Sequence, residues 1–495
     1  MKILSAQQIQ QWDAFTIQNE PIESIQLMER AAAKCVEWME ERFYITKKFN
    51  VFCGKGNNGG DGLAIARMMI AKGYTVTVYI LEFGAIGTND FQTNLQHLHL
   101  VTKDIHFIQS ENFFPVISKD DIVIDALFGS GLNRPLQDMS AALVQHINQS
   151  NATIISIDVP SGLSIDKSSK NYPAVCANTT LTFQIPKLCF FMAENAENFG
   201  EVHVLNIELH KTFLETVNTN VETLENNFIA ELIKPRKSFA HKGNFGHTLI
   251  VAGNVGKTGA AIMCSGAVLR TGCGLVTTNL PSASMNALHA SFPEAMIQLR
   301  ENGVTDIEKF SAIAVGPGLG IDESSQQLFK QIVQSFFKSM VIDADALTIL
   351  SLQKDWLKLI PAGSILTPHP KEFDRLFGVC ENDFERMEKA VELSKQYSFI
   401  IVLKGHHTLI ASNGRAYFNT SGNVGLAKGG SGDVLTGMIV SLLAQQYNSL
   451  HAALIGVYLH GLAADLALEQ QSYESLLATD VIQTIGKAFN FLRES

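Results

Sequence analysis

Twice in this chain a glycine-rich string separates a short apolar run from a helical pattern, which restricts the fold to one assembled from strand, loop and helix units. The first string, GKGNNGGDG at residues 54–62, joins the apolar run 50–53 to a helix expected over residues 63–72. The second, GGSGD at residues 429–433, leads into the apolar stretch LTGMIVSLLA. Glycines in such loops tolerate positive φ and close approach of the backbone, while the N–H groups of the helix start point at a negatively charged oxygen. Two anion cradles on one chain point to phosphorylated small molecules.

Between and beyond these strings, β-branched or apolar runs alternate with amphipathic stretches. In the first half they are VFC, YTVTVYI, IHFI, DIVIDALFG and TIISIDVP. Alternation of this kind predicts a parallel sheet wrapped by helices, and near-continuous apolar strands predict burial on both faces. Ligands of such sheets bind beyond the carboxyl ends of the strands, where this chain carries residues 54–62, 125–131 and 158–161, so three loops are expected to face one crevice. The segment 210–227 is polar, low in glycine and without a strong period, and is read as the domain boundary. A second alternating series begins near His247 with TLIVAG, GLVTTNLP, SAIAVGPGLG, MVIDADAL, SILTPHP, FIIVLKGHHTLIAS and RAYFNT, then ends in helices. The fold class is α/β with two domains, residues 1–215 and 225–495. The first is a Rossmann-like doubly wound sheet.

A length of 495 residues exceeds what one core normally organises, and 46% hydrophobic with 17% charged residues is a globular composition. A net charge of −10 argues against a nucleic-acid surface, so phosphate must be held by local N–H groups and single lysines. The N-terminal MKILSAQQIQQWD lacks an apolar signal core, and no uninterrupted apolar run reaches membrane-spanning length. A cytoplasmic protein without a membrane partner is expected. Seven scattered cysteines with no CxxC pair argue against a disulfide framework and a zinc site and read as buried thiols; none of the fourteen histidines has HExxH spacing.

The aspartate of GGSGD is the unusual member of its cradle. A carboxylate beside bound phosphate is repulsive unless it acts as a base, and phosphoryl transfer to an alcohol needs a group to accept the hydroxyl proton. Asp433 is that candidate, against the alternative of a simple helix N-cap. The string resembles the phosphate-binding and catalytic motif of ribokinase-like kinases. TPHPKEFDRLFG, VLKGHHTLI and HKGNFGHTLIVAG further resemble the carbohydrate-kinase-like domain of ADP- or ATP-dependent NAD(P)H-hydrate dehydratases, in that domain's order. GKGNNGGDG, DALFGSGL and IDVPSGL resemble the NAD(P)H-hydrate epimerase domain. Together they resemble the bifunctional nicotinamide-nucleotide repair enzymes over nearly the whole chain, which implies a ribokinase-like C-terminal domain.

The resemblance implies that, in the first domain, Asn57, Asn58, Gly59, Gly60 and Asp61 cradle the substrate while Gly129, Ser130, Gly131, Leu132, Asn133, Arg134 and Pro135 line the other side. Asn58, Asp125 and Ser161 match potassium ligands, and an amide oxygen, a carboxylate and a hydroxyl are hard donors suited to a hard cation. Asp158 matches a substrate-binding aspartate. The implied substrate is a reduced nicotinamide hydrated across a ring double bond, whose hydroxyl sits on a carbon attached to ring nitrogen. That carbon can lose and regain its hydroxyl through an iminium or ring-opened species, making Asp158 an acid/base candidate. Lys187 is a possible assistant, although one lysine after a strand is usually a solvated charge.

The implied second reaction returns the S hydrate to NADH or NADPH. Hydroxide leaves poorly, its conjugate acid having a pKa of about 15.7. Phosphorylation of the hydroxyl from ADP or ATP, with Asp433 as base and Gly430, Ser431 and Gly432 stabilising the moving charge, makes elimination possible. Magnesium is expected to bridge the nucleotide phosphates. Lys404, Gly405, His406, His407 and Thr408 fall at nucleotide-binding positions; Ala261 (or Ala260), Gly318, His369 and Asp433 fall at hydrate-binding ones. Lys371 and His406 depart from the family's small residues there. A homo-oligomer is implied. Three other readings compete: a plain small-molecule kinase, separated by whether phosphate is released; a P-loop NTPase, which fails because Val251 stands where its first glycine belongs; and a binding-only module. No GxSxG elbow is present.

Overall fold

A computed structural model describes residues 1–84 and 86–494. The chain divides into two compact units, one of residues 2–219 with 382–384, the other of Met1, 220–381 and 385–495.

Among the described residues the first unit carries seven strands: β1 (Lys48–Cys53), β2 (Thr75–Leu81), β3 (Ile105–Ile108), β4 (Ile122–Ala126), β5 (Thr153–Ile157), β6 (Thr179–Phe183) and β7 (Glu201–Leu205). Their order is β3-β2-β1-β4-β5-β6-β7 and every pairing is parallel. Two strands at one edge, β6 and β7, extend the sheet beyond the five read from the sequence; their runs TTLTF and EVHVL are short and partly polar. Chain direction across the sheet reverses between β1 and β4, the point at which a crevice opens above the strand ends. One apolar layer, including Val51, Ile65, Val78 and Ile155, packs on one side, and another, including Phe52, Leu127, Val144 and Ile154, forms a separate cluster.

Among the described residues the second unit holds ten strands: β8 (Val221–Thr223), β9 (His247–Val251), β10 (Leu275–Leu280), β11 (Met296–Leu299), β12 (Ala312–Val315), β13 (Met340–Ile342), β14 (Ile365–Leu366), β15 (Ile400–Leu403), β16 (Leu409–Ser412) and β17 (Arg415–Phe418). They run β11-β10-β9-β12-β13-β14-β15-β16-β17-β8, parallel from β11 to β15 and antiparallel through the β15-β16-β17 hairpins. The segment expected to be a featureless boundary instead contains the helix Thr212–Thr216 and the edge strand β8, which pairs with β17. Strand pairing satisfies backbone groups even where side chains lack periodicity.

Two sequence expectations need correction. The helix after β1 starts at Asn57 and ends at Ala71, so most of GKGNNGGDG is the helix's own first turns. None of its five glycines adopts positive φ. All but Gly56 serve close packing: a Cβ on Gly59 would lie 1.8 Å from the Gly54 carbonyl oxygen, and one on Gly54 would lie 1.9 Å from that of Leu127. The helix Ser449–Ala467 is long and apolar enough to cross a membrane, yet most of it is buried in the second unit's core, where its apolar residues pack all round.

Candidate active sites

The switch point of the first unit opens into a cavity of about 570 Å³. Its wall comes from the start of the helix Asn57–Ala71, from residues 127–134 after β4, from Asp158 after β5, from Gln184, Ile185 and Lys187 after β6, and from the helix Ala6–Asn19. Asn57, Asn58, Asp61, Gly129, Ser130, Gly131, Leu132, Asn133, Arg134 and Asp158 therefore face one space. Gly59, Gly60 and Pro135 are not on that wall. Gly59 packs on Gly54, and a Cβ on Gly60 would reach the Met28 sulfur at 2.8 Å, so both positions serve the joint between helix and neighbouring elements.

Asp158 is buried at the mouth of β5 with φ of 63°, a left-handed conformation that aspartate tolerates better than most residues. Its Oδ1 lies 2.9 Å from Lys187 Nζ, and its Oδ2 accepts from the Ser130 N–H at 3.2 Å. Burial disfavours its charge, but the Lys187 ammonium and the Ser130 donor outweigh that and hold the carboxyl below its ordinary range. Lys187 is not the solvated charge its position suggested. It is 1% exposed, and its ammonium also donates to the carbonyls of Phe183 at 2.8 Å and Ile185 at 3.3 Å.

Asp125, fully buried at the end of β4, accepts from Ser161 Oγ at 2.5 Å, the Ser161 N–H at 2.9 Å, Ser156 Oγ at 2.8 Å and the Leu127 N–H at 3.3 Å. Burial raises its pKa and these hydrogen bonds pull it back, leaving it above the usual carboxylate value. Ser161 also bonds both the N–H and the carbonyl of Phe128. Next in the chain, Gly129 approaches the Asn58 side chain, whose amide oxygen and nitrogen are both buried without a hydrogen-bond partner. An orphaned buried amide oxygen is costly unless something else satisfies it. With one carboxylate and neutral oxygens nearby, and no cluster of three acidic, histidine or cysteine ligands among the described residues, the donor set fits a monovalent cation better than a divalent one.

The second site lies at the carboxyl ends of β12 to β15. The helix Ser431–Ala444 begins at Gly430, whose φ of 94° is the left-handed turn that GGSGD needed. Asp433 is three residues inside the helix. Because Gly430 is the N-cap and no side chain caps the helix, the capping role is excluded for Asp433. Its carboxyl makes no hydrogen bond with any described residue, and burial followed by the Asp343 charge pushes its pKa up to about 6, with Lys404 opposing. Lys404 Nζ donates to Asp343 at 2.7 Å and lies 3.9 Å from Glu372. Burial works against its charge, but Asp343, Glu372 and Asp433 overcome it and hold the ammonium above its ordinary pKa.

Beside this charged group is a cavity of about 650 Å³ lined by His369, Lys404, Gly405, His406, Thr408, Ser431 and Gly432 among others. Gly405 and Thr408 bond each other across the tight turn between β15 and β16. His407 is turned from that wall; its Nδ1 lies 3.2 Å from the Asn419 carbonyl oxygen, and burial depresses its pKa to about 4. His369 caps the helix Pro370–Phe377, its Nδ1 accepting from the Lys371 and Glu372 N–H groups, so it bonds backbone and faces the cavity at once. Lys371 and His406 are exposed. Gly318, at φ 59°, abuts Ala260, whereas the Ala261 side chain is buried in the core. Of the two alanines considered, Ala260 is therefore the one beside Gly318.

Sequence reading passed over Asp343, Glu372, His460 and Asp13. Asp343 had a signal, since it follows the apolar run MVI as Asp125 and Asp158 follow theirs. The fold adds that it also accepts from Thr436 at 2.7 Å and precedes Ala344 at φ 49°. His460, in the middle of the apolar helix Ser449–Ala467, gave none. It lines the second cavity 3.5 Å from Ser431 Oγ, and burial depresses its pKa to about 4. All seven cysteines are free, and Cys176, against expectation, is exposed.

Comparison with known proteins agrees with this division. A family profile described as NAD(P)H-hydrate dehydratase matches residues 248–487, and one described as YjeF-related protein N-terminus matches residues 24–189. The bifunctional NAD(P)H-hydrate repair enzyme Nnr of Thermofilum pendens is 33% identical, covering 100% of this chain and 97% of that protein. The Escherichia coli enzyme of the same name is 31% identical, covering 94% and 89%. Among solved structures, the Bacillus subtilis ADP/ATP-dependent NAD(P)H-hydrate dehydratase co-crystallised with ATP/Mg2+ is 32% identical, with a TM-score of 0.50 and coverage of 56% of this chain and 100% of that one. A ribokinase-like superfamily protein from Enterococcus faecalis is 31% identical, with a TM-score of 0.52 and coverage of 56% and 99%.

Proposed function

The chain belongs to the bifunctional NAD(P)H-hydrate repair enzymes, and we propose that its two cavities divide the work, Asp158 serving epimerisation in the first and Asp433 serving dehydration in the second. The protein epimerises hydrated NADH and NADPH and dehydrates the S form with ADP or ATP. One observation supports the residue assignment: a carboxylate stands near an ammonium at each strand-end site, Asp158 with Lys187 in the wall of the first cavity, and near Lys404 the half-buried Asp433, which follows Gly432 and lies beside the second cavity without lining it.

In the dehydratase site, Asp433 takes the proton of the substrate hydroxyl as that oxygen attacks the terminal phosphorus of the nucleotide. The first-turn N–H groups from Gly430 to Gly432 and the Lys404 ammonium stabilise the negative charge that moves onto the phosphate oxygens. The ring nitrogen then expels phosphate, leaving NADH or NADPH. Lys404, Gly405, His406 and Thr408 border the nucleotide cavity; His369, Ala260 and Gly318 are assigned to the hydrate. Magnesium carried with the nucleotide supplies further charge neutralisation. In the epimerase site, the main-chain N–H groups near Asn57 and residues 129–134 hold the dinucleotide. Asn58, Asp125 and Ser161 would hold potassium, a hard cation suited to their oxygen donors, and the Asn58 amide oxygen is buried with no other partner. The free thiols suit a cytoplasmic setting.

A mixture of R and S hydrates, given ADP or ATP with magnesium, tests the reading by the return of reduced-nicotinamide absorbance. Full conversion is expected for the parent chain, and a plateau near the initial S fraction for Asp158→Asn. A parent chain that regenerates no absorbance with either nucleotide overturns the assignment.

A further inference from the structure

Epimerisation moves a hydroxyl from one side of a ring carbon to the other, and by the iminium route an oxygen leaves with a proton and another arrives and loses one. That requires a proton donor as the oxygen leaves and a proton acceptor as water arrives. Asp158 and Lys187 cannot supply both. Their ion pair keeps Asp158 ionised, suited to accepting a proton. The three N–H groups of Lys187 are taken up by Asp158, the Phe183 carbonyl and the Ile185 carbonyl, which leaves none to protonate a departing oxygen.

Three further carboxyl groups stand in the same wall, Asp13, Asp61 and Asp90, and Asp90 already accepts from Ser24 Oγ at 2.6 Å. Asp13, on the helix Ala6–Asn19, lines the cavity with Asp158 and Lys187, is half-buried, and makes no hydrogen bond or ion pair with any described residue. Its position is held firmly: Trp12, on one side in sequence, donates its indole N–H to the His210 carbonyl at 2.9 Å, and Thr16 Oγ1 accepts from the His210 N–H at 3.0 Å. A rigid helix thus presents an unpartnered acid to the cavity.

We infer that Asp13 is the second proton-transfer group of the epimerase, donating to the leaving oxygen while Asp158 accepts from the arriving water. The inference rests on the epimerase reading above. The C–O bond breaks as the ring nitrogen's lone pair forms a C=N bond, and the Asp13 proton leaves with the oxygen as water. Water then adds to the C=N carbon, the electron pair returns to nitrogen, and the proton released by that water goes to Asp158. Exchange with solvent restores the starting protonation, and the reverse reaction uses the same single proton on the other carboxyl group.

The charges facing Asp13 around the cavity are Asp61, Asp90, Arg134, Asp158 and Lys187. Burial first, then the Asp158 charge, push the Asp13 carboxyl up to about 7, with Lys187 opposing, so its proton is available near neutrality and can return. Asp61, which also lacks a hydrogen-bond partner, is buried more deeply, and burial first, then the Asp158 and Asp13 charges, drive its carboxyl well above its ordinary value, which suits holding the substrate rather than exchanging protons.

The test uses the full chain, the pure R hydrate of NADPH and no nucleotide, with S product followed by chiral chromatography. Asp13→Asn should lower kcat by about 100-fold or more while KM stays within about threefold, the range expected for loss of one acid/base group. Parent kcat should fall as pH rises through about 7, and that alkaline limb should vanish in Asp13→Asn. Asp13→Glu should recover at least about a tenth of the lost rate, which separates chemistry from misfolding. An active parent with Asp13→Asn within about threefold of its rate, or with the alkaline limb retained, overturns this inference alone. An inactive parent overturns the epimerase reading and this inference with it.

Discussion

At Asp433 the sequence argument and the electrostatics meet on one atom group. A base must be ionised to work, and a folded-state value of about 6 means kcat/KM for dehydration should rise with pH up to about 6 and level off above it. Asp433→Asn keeps the size and removes the base, so a loss of about 10²- to 10⁴-fold in kcat on the S hydrate is expected, together with loss of that acidic limb. The same shift has a stability consequence of the opposite sense. Because the folded value lies above the ordinary 3.8, the fold favours the neutral carboxyl and loses stability as pH rises from about 4 through about 6. The asparagine variant should therefore melt higher than the parent at pH 7, with the margin closing toward pH 4; a lower melting point at pH 7 contradicts the assignment. Asp433 could be picked out in the sequence because its carboxylate sits within a phosphate-type loop. The partners that set its pKa could not, since Asp343 and Lys404 are 90 and 29 residues away.

At the scale of the element, the first glycine string does something other than its composition suggested. A run of five glycines in nine residues reads as a flexible loop, but from Asn57 onward it is helix. Its glycines bring the helix start against the end of β1 and the loop after β4. Gly59→Ala would drive a methyl group into the Gly54 carbonyl, where only backbone movement can relieve it, and should destabilise the first unit by about 3 kcal/mol or more. Gly56→Ala, in the same string with φ of −88° and nothing within 4 Å of its Cβ, should change stability by less than about 0.5 kcal/mol. Denaturant melts of the two variants decide between packing and flexibility as the reason for the glycines, since equal losses would reject packing. In GGSGD, by contrast, Gly430 does adopt the left-handed conformation. Similar strings thus use glycine for different reasons, and only the neighbouring backbone distinguishes them.

At the scale of the molecule, the chain holds separate apolar cores, one built on the seven-stranded sheet and one on the ten-stranded sheet. Calorimetry should resolve two unfolding transitions, and a nucleotide at about 100 times its Kd should stabilise only one of them, by about 2.7 kcal/mol. A single transition raised as a whole by nucleotide would contradict this. The alternation of apolar runs with helical stretches was enough to set the α/β class, the two-part division and most strands, because buried parallel strands must be apolar along their whole length. The strings at the strand ends were enough to name most candidate site residues, since chemistry in such sheets collects where strands stop. The edge strands β7, β8 and β11 were not legible. Their pairing is settled by a neighbour's backbone, and half-polar runs carry little pattern of their own. Nor could the sequence show that Lys187 is buried on Asp158, that Asp13 faces them from a different helix, or that His460 reaches the second cavity from within an apolar helix. Residue type and spacing establish which chemistry a segment can perform. Which groups share a cavity, and therefore which protons can move, depends on contacts between segments far apart in the chain, and those exist only once the sheets have formed.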